Sequence, residues 1–411
     1  MDEYYDALET QDPAVREENL FASLAAQLRH AKDHSKAYSA LLDGFDIESV
    51  NDWSALTRLP LTRKSEIAKS QADLPPLGGY STPALAGFYN IFASPGGIFE
   101  PGGMRDDYWN FARCLYAAGI RQGDLIHNTF SYHFTPAGQM VESAARAIGC
   151  PVFPGGIAQT ELQVQVMAQL KPRAYCGTPS FLKIILDKAV DMGIRIEGLE
   201  VGLVGGEALP GSLRDELSER GVEVLQSDGT ADLGLIAYES TAREGMILTE
   251  EVIVEIVAPG TGEPVAEGEI GEIVVTTLSP EYPLIRFATG DLSALMPGMS
   301  PCGRTNRRIR GWMGRADQTA KIRGMFVYPS QVAAVVARHD ELVRARVVID
   351  RVDNADVMVF RCETAERSDA LVLAIAESVR EVCKLRADIE LWPTGELPDD
   401  GKVIEDRRPI N

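Results

Sequence analysis

The stretch "RAYCGTPSFLKIILDKAVDMGIRIEGLEVGLVGGEALPGSLRDELSERGVEVLQSDG", residues 173–229, decides the fold. Three short apolar runs, 173–177, "LEVGLVGGE" and "VEVLQSDG", are separated by two segments of helical period, 179–192 and 210–220. Short strands that alternate with helices of this length build a parallel, doubly wound sheet, because each helix must carry the chain back across a sheet face. Upstream the alternation continues as helix 105–118, a strand near 124–129, helix 136–148, the strand "CPVFPGG" and helix 160–170. Residues 13–43 read as helix, with Leu20, Leu24 and Leu28 on one face. "LTRLPLTRKSEI", residues 56–67, reads as a turn that opens a new helix with Thr62 as its N-cap.

Beyond residue 234 the pattern changes to strands joined by turns: "LGLIAYES", "EVIVEIVAPGTGEPV" and "GEIGEIVVTTL". These predict an antiparallel sheet or small barrel attached to the first sheet. A third pattern starts near 318, with strand 319–324, helix 329–338, strands 343–350 and 356–363, helix 368–384 and strand 388–392. The β-α-β-β-α-β order predicts a small α+β, ferredoxin-like unit. The expected fold is therefore α/β in two domains, 1–316 and 317–411, with the boundary at "GWMGRADQ".

Composition narrows the function. The 411 residues carry a net charge of −20, which repels nucleic-acid phosphates. The acidic start "MDEYYDALETQD" lacks the apolar core of a secretory signal, and no apolar run is long enough for a membrane helix. Six cysteines, at 114, 150, 176, 302, 362 and 383, lie far apart without a CxxC pair, which argues against a disulfide framework or closed zinc site. The chain reads as a soluble cytoplasmic protein.

In a parallel sheet, ligands bind beyond the carboxyl ends of the strands. Three turns fall there: "VGGEALP" with Gly205, Gly206 and Glu207; "SDGTADLG" with Asp228, Gly229, Thr230 and Asp232; and "IRFATGDLSAL" with Thr289, Gly290 and Asp291. Glycines let a base or phosphate approach the backbone, and carboxylates can grip a ribose diol or hold Mg²⁺. "FASPGGIFEPGG", residues 92–103, has the glycines of a phosphate loop without its usual side chains.

Taken in order, "VGGEALP", "SDGTADLG", "IRFATGDL", "GRADQTAKIRG" with "VYPSQV", and "LPDDGKV" resemble the adenylate-forming acyl-CoA synthetase superfamily, most closely its phenylacetate–CoA ligase branch. The resemblance covers about residues 80–408. It implies a two-step reaction. A carboxylic acid and ATP give an acyl-adenylate and pyrophosphate, and the thiol of coenzyme A then displaces AMP. It further implies Mg²⁺, a rotating C-terminal domain and a possible homodimer.

The resemblance also assigns residues. Asp291 would hold the ribose, Gly205, Gly206 and Glu207 the adenine, and Asp232 the Mg²⁺, with Thr230 beside the α-phosphate. Ser94, Gly96 and Gly97 would form the phosphate loop, and Asp228 and Gly229 would flank the nucleotide. Arg315 would reach the nucleotide, Asp317 would be the hinge, and Lys402 the adenylation lysine. "HNTFSYHFTPAG" and "CGTPSF" would form the acyl pocket, with Tyr132, His133, Phe134 and Phe181 as lining candidates. Core packing is the competing role for these aromatics, and a satisfied loop histidine the competing role for His127 and His133.

Four positions depart from the family pattern. The loop lacks Thr and Lys and carries Glu100; Asp228 stands for the usual aromatic; the metal acid is shortened to Asp232; and Ala288 replaces an arginine. Three readings follow: an acyl- or aryl-CoA ligase, a homologue that binds adenylate, AMP or acyl-CoA without turnover, or an enzyme that passes the acyl group to a carrier-protein thiol.

Overall fold

The computed structural model describes the chain except residues 1–2, 95–96, 260, 314, 317–319, 324, 328, 353–354, 400–401 and 409–411. It divides into two compact units, Met1–Leu209 with Arg214–Trp312, and Pro210–Leu213 with Met313–Asn411.

The first unit is built on a nine-stranded sheet. From one edge its strands are Leu295–Met296, Arg308–Ile309, Met246–Leu248, Gly234–Glu239, Glu223–Thr230, Val201–Val204, Ala174–Gly177, Ile126–Asn128 and Val152–Pro154. The last five run parallel. All four residues of Ala174–Gly177 are buried, as a strand covered by helices on both faces requires. From Glu223–Thr230 the pairing turns antiparallel. The chain leaves Ile126–Asn128 for the edge strand Val152–Pro154 and then crosses back to Ala174–Gly177 on the other side. The crevice between Ile126–Asn128 and Ala174–Gly177 is thus the point where strand order reverses, the place where ligands bind in open α/β sheets.

A second, four-stranded sheet runs Thr62–Arg63, Phe287–Ser293, Gly271–Thr277 and Val252–Val257. Among the described residues it is an open sheet and does not close into a barrel. Its first pair is parallel and the others antiparallel. Arg286 is buried beside it and meets both oxygens of Glu255 at 3.0 Å, while its NH1 donates to the Thr57 and Leu59 carbonyls. A separate hairpin, Phe88–Ser94 with Ile98–Gly103, carries the glycine-rich loop. The N-terminal segment is tied down by buried charges: Glu9 pairs with Arg304 at 3.0 Å, and Arg16 with Glu250 at 2.8 Å.

The segment expected as helix 105–118 is helical only over Ala112–Ala117. Asp107 and Asn110 adopt left-handed backbone, with φ of 50° and 61°, which breaks the helix. The Asp107 carboxylate instead accepts from the Ala112 N–H at 3.1 Å. No helix among the described residues is long and apolar enough to cross a membrane.

In the second unit a four-stranded sheet runs Asp388–Trp392, Ala355–Thr364, Leu342–Val352 and Ile404–Asp406. Helices Pro329–Val336 and Asp369–Cys383 complete the α+β unit. The segment read as its first strand pairs elsewhere, as a hairpin of Ala320–Ile322 with Met325–Val327. Its place at the sheet edge is taken by Ile404–Asp406, parallel to Leu342–Val352.

Burial pushes the Asp107 carboxyl up from 3.8 to about 7. Between those values the folded protein keeps a proton that the unfolded chain has released, so stability falls as pH rises from about 4 to about 7. Asp107→Asn keeps an acceptor and tolerates left-handed backbone; its urea midpoint is expected to gain on the wild type across that window and level off above it. Arg286→Met strands the buried Glu255 and is expected to cost about 3–5 kcal/mol in urea unfolding.

Candidate active site

The site is assembled around the junction of strand Thr62–Arg63 and helix Lys64–Asp73. Thr62 N–H bonds the Arg286 carbonyl at 2.9 Å, and its hydroxyl donates to the Ile285 carbonyl at 2.8 Å. Thr62 is therefore a strand residue and not the helix cap; the Arg63 N–H donates to Glu66 Oε2 at 3.1 Å instead. This pairing fixes Lys64 at the first turn of the helix, beside the glycine-rich loop. Its Nζ donates to Ser94 Oγ at 3.0 Å and to Asp232 Oδ2 at 3.1 Å, and lies 4.0 Å from Glu100 Oε1. Ser94 in turn donates to Glu100 Oε1. The loop thus has a cation within reach of its serine, supplied by another segment.

Glu100 is almost fully buried, at 1% exposure. Burial, with the Asp232 charge beside it, pushes its carboxyl up to about 9. Glu100 Oε2 and Asp232 Oδ1 are both buried and receive no hydrogen bond from any other residue, and the two carboxyl groups face each other. Arg63, the preceding residue, lies in register with Ala288. Its NH1 is 3.6 Å from Oε1 of the buried Glu272, which also accepts from Gly290 N–H at 3.2 Å. A guanidinium is therefore present beside the position where the sequence lacks one.

Other expected site residues lie in the same unit, most of them at strand ends; Thr289, Gly290 and Asp291, expected in a turn after a strand, lie inside the strand Phe287–Ser293. Gly205 is buried directly after Val201–Val204, and a side chain there would meet the Ser227 carbonyl and hydroxyl at 3.0 Å. Gly206 is exposed with φ of 79°. Glu207 Oε1 accepts the Ser180 N–H at 2.7 Å and so caps the helix Pro179–Asp191. Asp228, Gly229 and Thr230 end the strand Glu223–Thr230. Thr230 Oγ1 accepts from the Leu233 N–H at 3.1 Å, which fixes the turn carrying Asp232. Asp291 receives the Trp312 indole N–H at 2.9 Å on Oδ1. Gly97 has φ of 76° at the tip of the hairpin.

The aromatic candidates lie on both sides of the switch point but are held differently. Tyr132 donates to Glu142 at 2.9 Å and accepts from Asn128 at 2.8 Å, with its ring against Gly138. Phe181 is half-buried in the first turn of its helix, whose N-cap is Thr178. His133 is exposed, and Phe134 is 80% exposed, with its carbonyl accepting the Ala93 N–H at 2.8 Å. His127 is wholly buried, bonded to Gln163 at 2.6 Å and stacked on Phe153. Burial holds its pKa below the ordinary histidine value, as suits a neutral core residue.

Arg315 and Lys402 belong to the second unit. Lys402 is exposed, and its carbonyl accepts from Arg346 Nε at 2.9 Å. Gly96 and Asp317 lie outside the described residues. The residues that sequence reasoning missed are Arg63, Lys64 and Trp312. The one available signal was the basic pair at a strand-to-helix junction, since its partners lie far along the chain: Asp232 is 168 positions away.

The pattern of the AMP-binding enzyme family matches residues 112–279. The chain is 30% identical over 406 residues to phenylacetate–coenzyme A ligase of Thermus thermophilus, covering 89% of this chain and 90% of the relative. It is 30% identical over 404 residues to that of Escherichia coli, covering 92% and 91%. Among solved structures, a 2-hydroxyisobutyryl-CoA ligase in complex with 2-HIB-AMP and CoA superposes with a TM-score of 0.86 at 24% identity, covering 99% of this chain and 93% of that one. The chain belongs to the adenylate-forming, AMP-binding enzymes, on their phenylacetate–coenzyme A ligase branch.

Proposed function

We propose that the protein uses ATP to convert a carboxylic acid into its acyl-adenylate and then transfers the acyl group to the thiol of coenzyme A. The observation that carries this reading is the ammonium of Lys64 on Ser94 of the glycine-rich loop, beside Asp232. The relatives named as phenylacetate ligases support an aromatic acid.

In the first step a carboxylate oxygen attacks the α-phosphorus, and pyrophosphate leaves. Two anions must be brought together, so cations and oriented donors at the phosphates carry the catalysis. Ser94 and Lys64 donate to phosphate oxygens once the nucleotide displaces their present partners. Asp291, with Oδ1 held by Trp312, grips the ribose through its carboxylate. Gly205 and Gly206 let the base lie against the backbone, and Thr230 lies at the α-phosphate. Lys402 comes from the second unit, with Asp317 as the hinge, to place charge between the acid and the phosphorus.

Magnesium is the cofactor this chemistry implies, and Asp232 fits it: a buried carboxylate with one oxygen unpartnered. When bound, the ion neutralises charge on the phosphates. The acid enters the crevice at the switch point, between Tyr132 with Phe134 and Phe181. In the second step the coenzyme A sulfur attacks the acyl carbon and AMP leaves.

A second reading, binding of an adenylate or AMP without turnover, is favoured by one observation: Glu100 occupies the loop and holds its serine.

Pyrophosphate release over a panel of aryl and short hydroxy acids separates the two readings. At least one acid is expected to drive release, with a thioester formed when coenzyme A is added and both lost in Lys402→Ala. Release that no acid stimulates, with tight AMP binding, would establish the second reading instead. Lys64→Met removes a charge-assisted donor worth about 1.5–3 kcal/mol. Its kcat/KM for ATP is expected to fall about ten- to a hundredfold, measured by the same assay.

A further inference from the structure

Glu100 makes little physical sense as a simple loss of the loop's lysine. A buried carboxylate facing incoming phosphates repels them, and its removal from water carries a cost that an unpaired charge does not recover. Lys64 supplies a single positive charge to a pocket that holds two carboxyl groups, so no surplus is left for a triphosphate. A divalent cation added to this pocket supplies the missing positive charge.

We infer that Glu100 is a second protein ligand, with Asp232, for the divalent cation that accompanies the nucleotide. This deepens the ligase reading and rests on it for the identity of the nucleotide. Three observations carry the inference. Glu100 is 1% exposed and the Asp232 side chain 3%, yet Oε2 of the first and Oδ1 of the second receive no hydrogen bond from any other residue, and the two carboxyl groups face each other. The two carboxylates bracket a single ammonium, Lys64 Nζ, at 4.0 and 3.1 Å, so a cation already stands between them. Both groups, with Ser94, present oxygen donors, the ligand type that Mg²⁺ and Mn²⁺ select.

Among the described residues no three His, Cys, Asp or Glu side chains converge. Two carboxylates, completed by water and nucleotide phosphates, is the usual way a protein holds Mg²⁺ at a nucleotide. On this account the hairpin has exchanged a fixed cation at its own edge for a metal ligand, and Lys64 is the ammonium that moves to the phosphates as the metal enters. The pairing of Ser94 with Glu100 then represents the nucleotide-free arrangement.

The test measures metal binding directly. Free Mn²⁺ is followed by electron paramagnetic resonance during titration into the full-length protein, alone and with a methylene-linked ATP analogue. The wild type is expected to hold one Mn²⁺ per chain with the analogue. Glu100→Gln and Asp232→Asn are each expected to weaken it by at least the roughly tenfold that loss of even an outer-shell partner costs.

Glu100→Lys restores the fixed cation and separates the inference from its rival. Loss of Mn²⁺ in that variant supports a ligand role. Unchanged Mn²⁺ affinity in both Glu100 variants, or no Mn²⁺ held by the wild type, overturns it and leaves Glu100 a neutral hydrogen-bonding acid. Pyrophosphate release by the wild type reads the ligase assignment separately. Mn²⁺ lost on Glu100→Gln in a protein that activates no acid keeps the metal site and sinks only the ligase reading.

Discussion

The contact between the Lys64 ammonium, the Ser94 hydroxyl and the Asp232 carboxylate is the constraint on which the rest of the site depends. It joins three stretches of chain: the start of a helix, the edge of a glycine-rich hairpin and the turn after the last parallel strand. A lysine is long and flexible, so its position here needs fixed ground beneath it. That ground is the two-residue strand Thr62–Arg63, locked to Phe287–Ser293 by backbone pairing and to the Ile285 carbonyl just before that strand by the Thr62 hydroxyl. The buried Arg286–Glu255 pair holds the neighbouring backbone in place, with Arg286 also bonded to the Thr57 and Leu59 carbonyls that lead into the strand. Stability of the second sheet and geometry of the phosphate site are therefore the same problem.

The doubly wound half of the fold was legible because each of its elements is local. The apolar runs of 173–229 are contiguous, and the helices between them have one period and one length. Two of the three expected turns at strand ends were legible for the same reason; Thr289, Gly290 and Asp291 lie inside the strand Phe287–Ser293 instead. Residues 105–111 were misread because Asp107 and Asn110 leave the helical region, and the tertiary contact that compensates, Asp107 to Ala112, has no periodic signature.

The substitute cations were illegible for a different reason. Arg63 and Lys64 acquire their meaning from the parallel pairing of Thr62 and Arg63 with Phe287 and Ala288, 225 positions away. Read alone, "TRKSE" is a charged helix start. Once paired, Arg63 stands beside Ala288 and meets Glu272, and Lys64 stands beside a loop that lost its lysine. The departures that looked like four independent losses become, in two cases, relocations of charge. The acyl pocket was legible in place and less so in detail. Tyr132 is held by Glu142 and Asn128, whereas Phe134 stands out in solvent, a distinction of hydrogen bonding that apolar pattern does not encode.

Membership of the phenylacetate–coenzyme A ligase branch gives the reaction class; the relocated lysine says how this chain would meet its chemical demands. The most direct measurement is a crystal structure with a non-hydrolysable ATP analogue and Mg²⁺. The account predicts phosphate oxygens within hydrogen-bond distance of both Lys64 Nζ and Ser94 Oγ, with the ribose on Asp291. An analogue whose phosphates lie away from the hairpin, with Lys64 still bonded to Asp232 and Ser94, would contradict it.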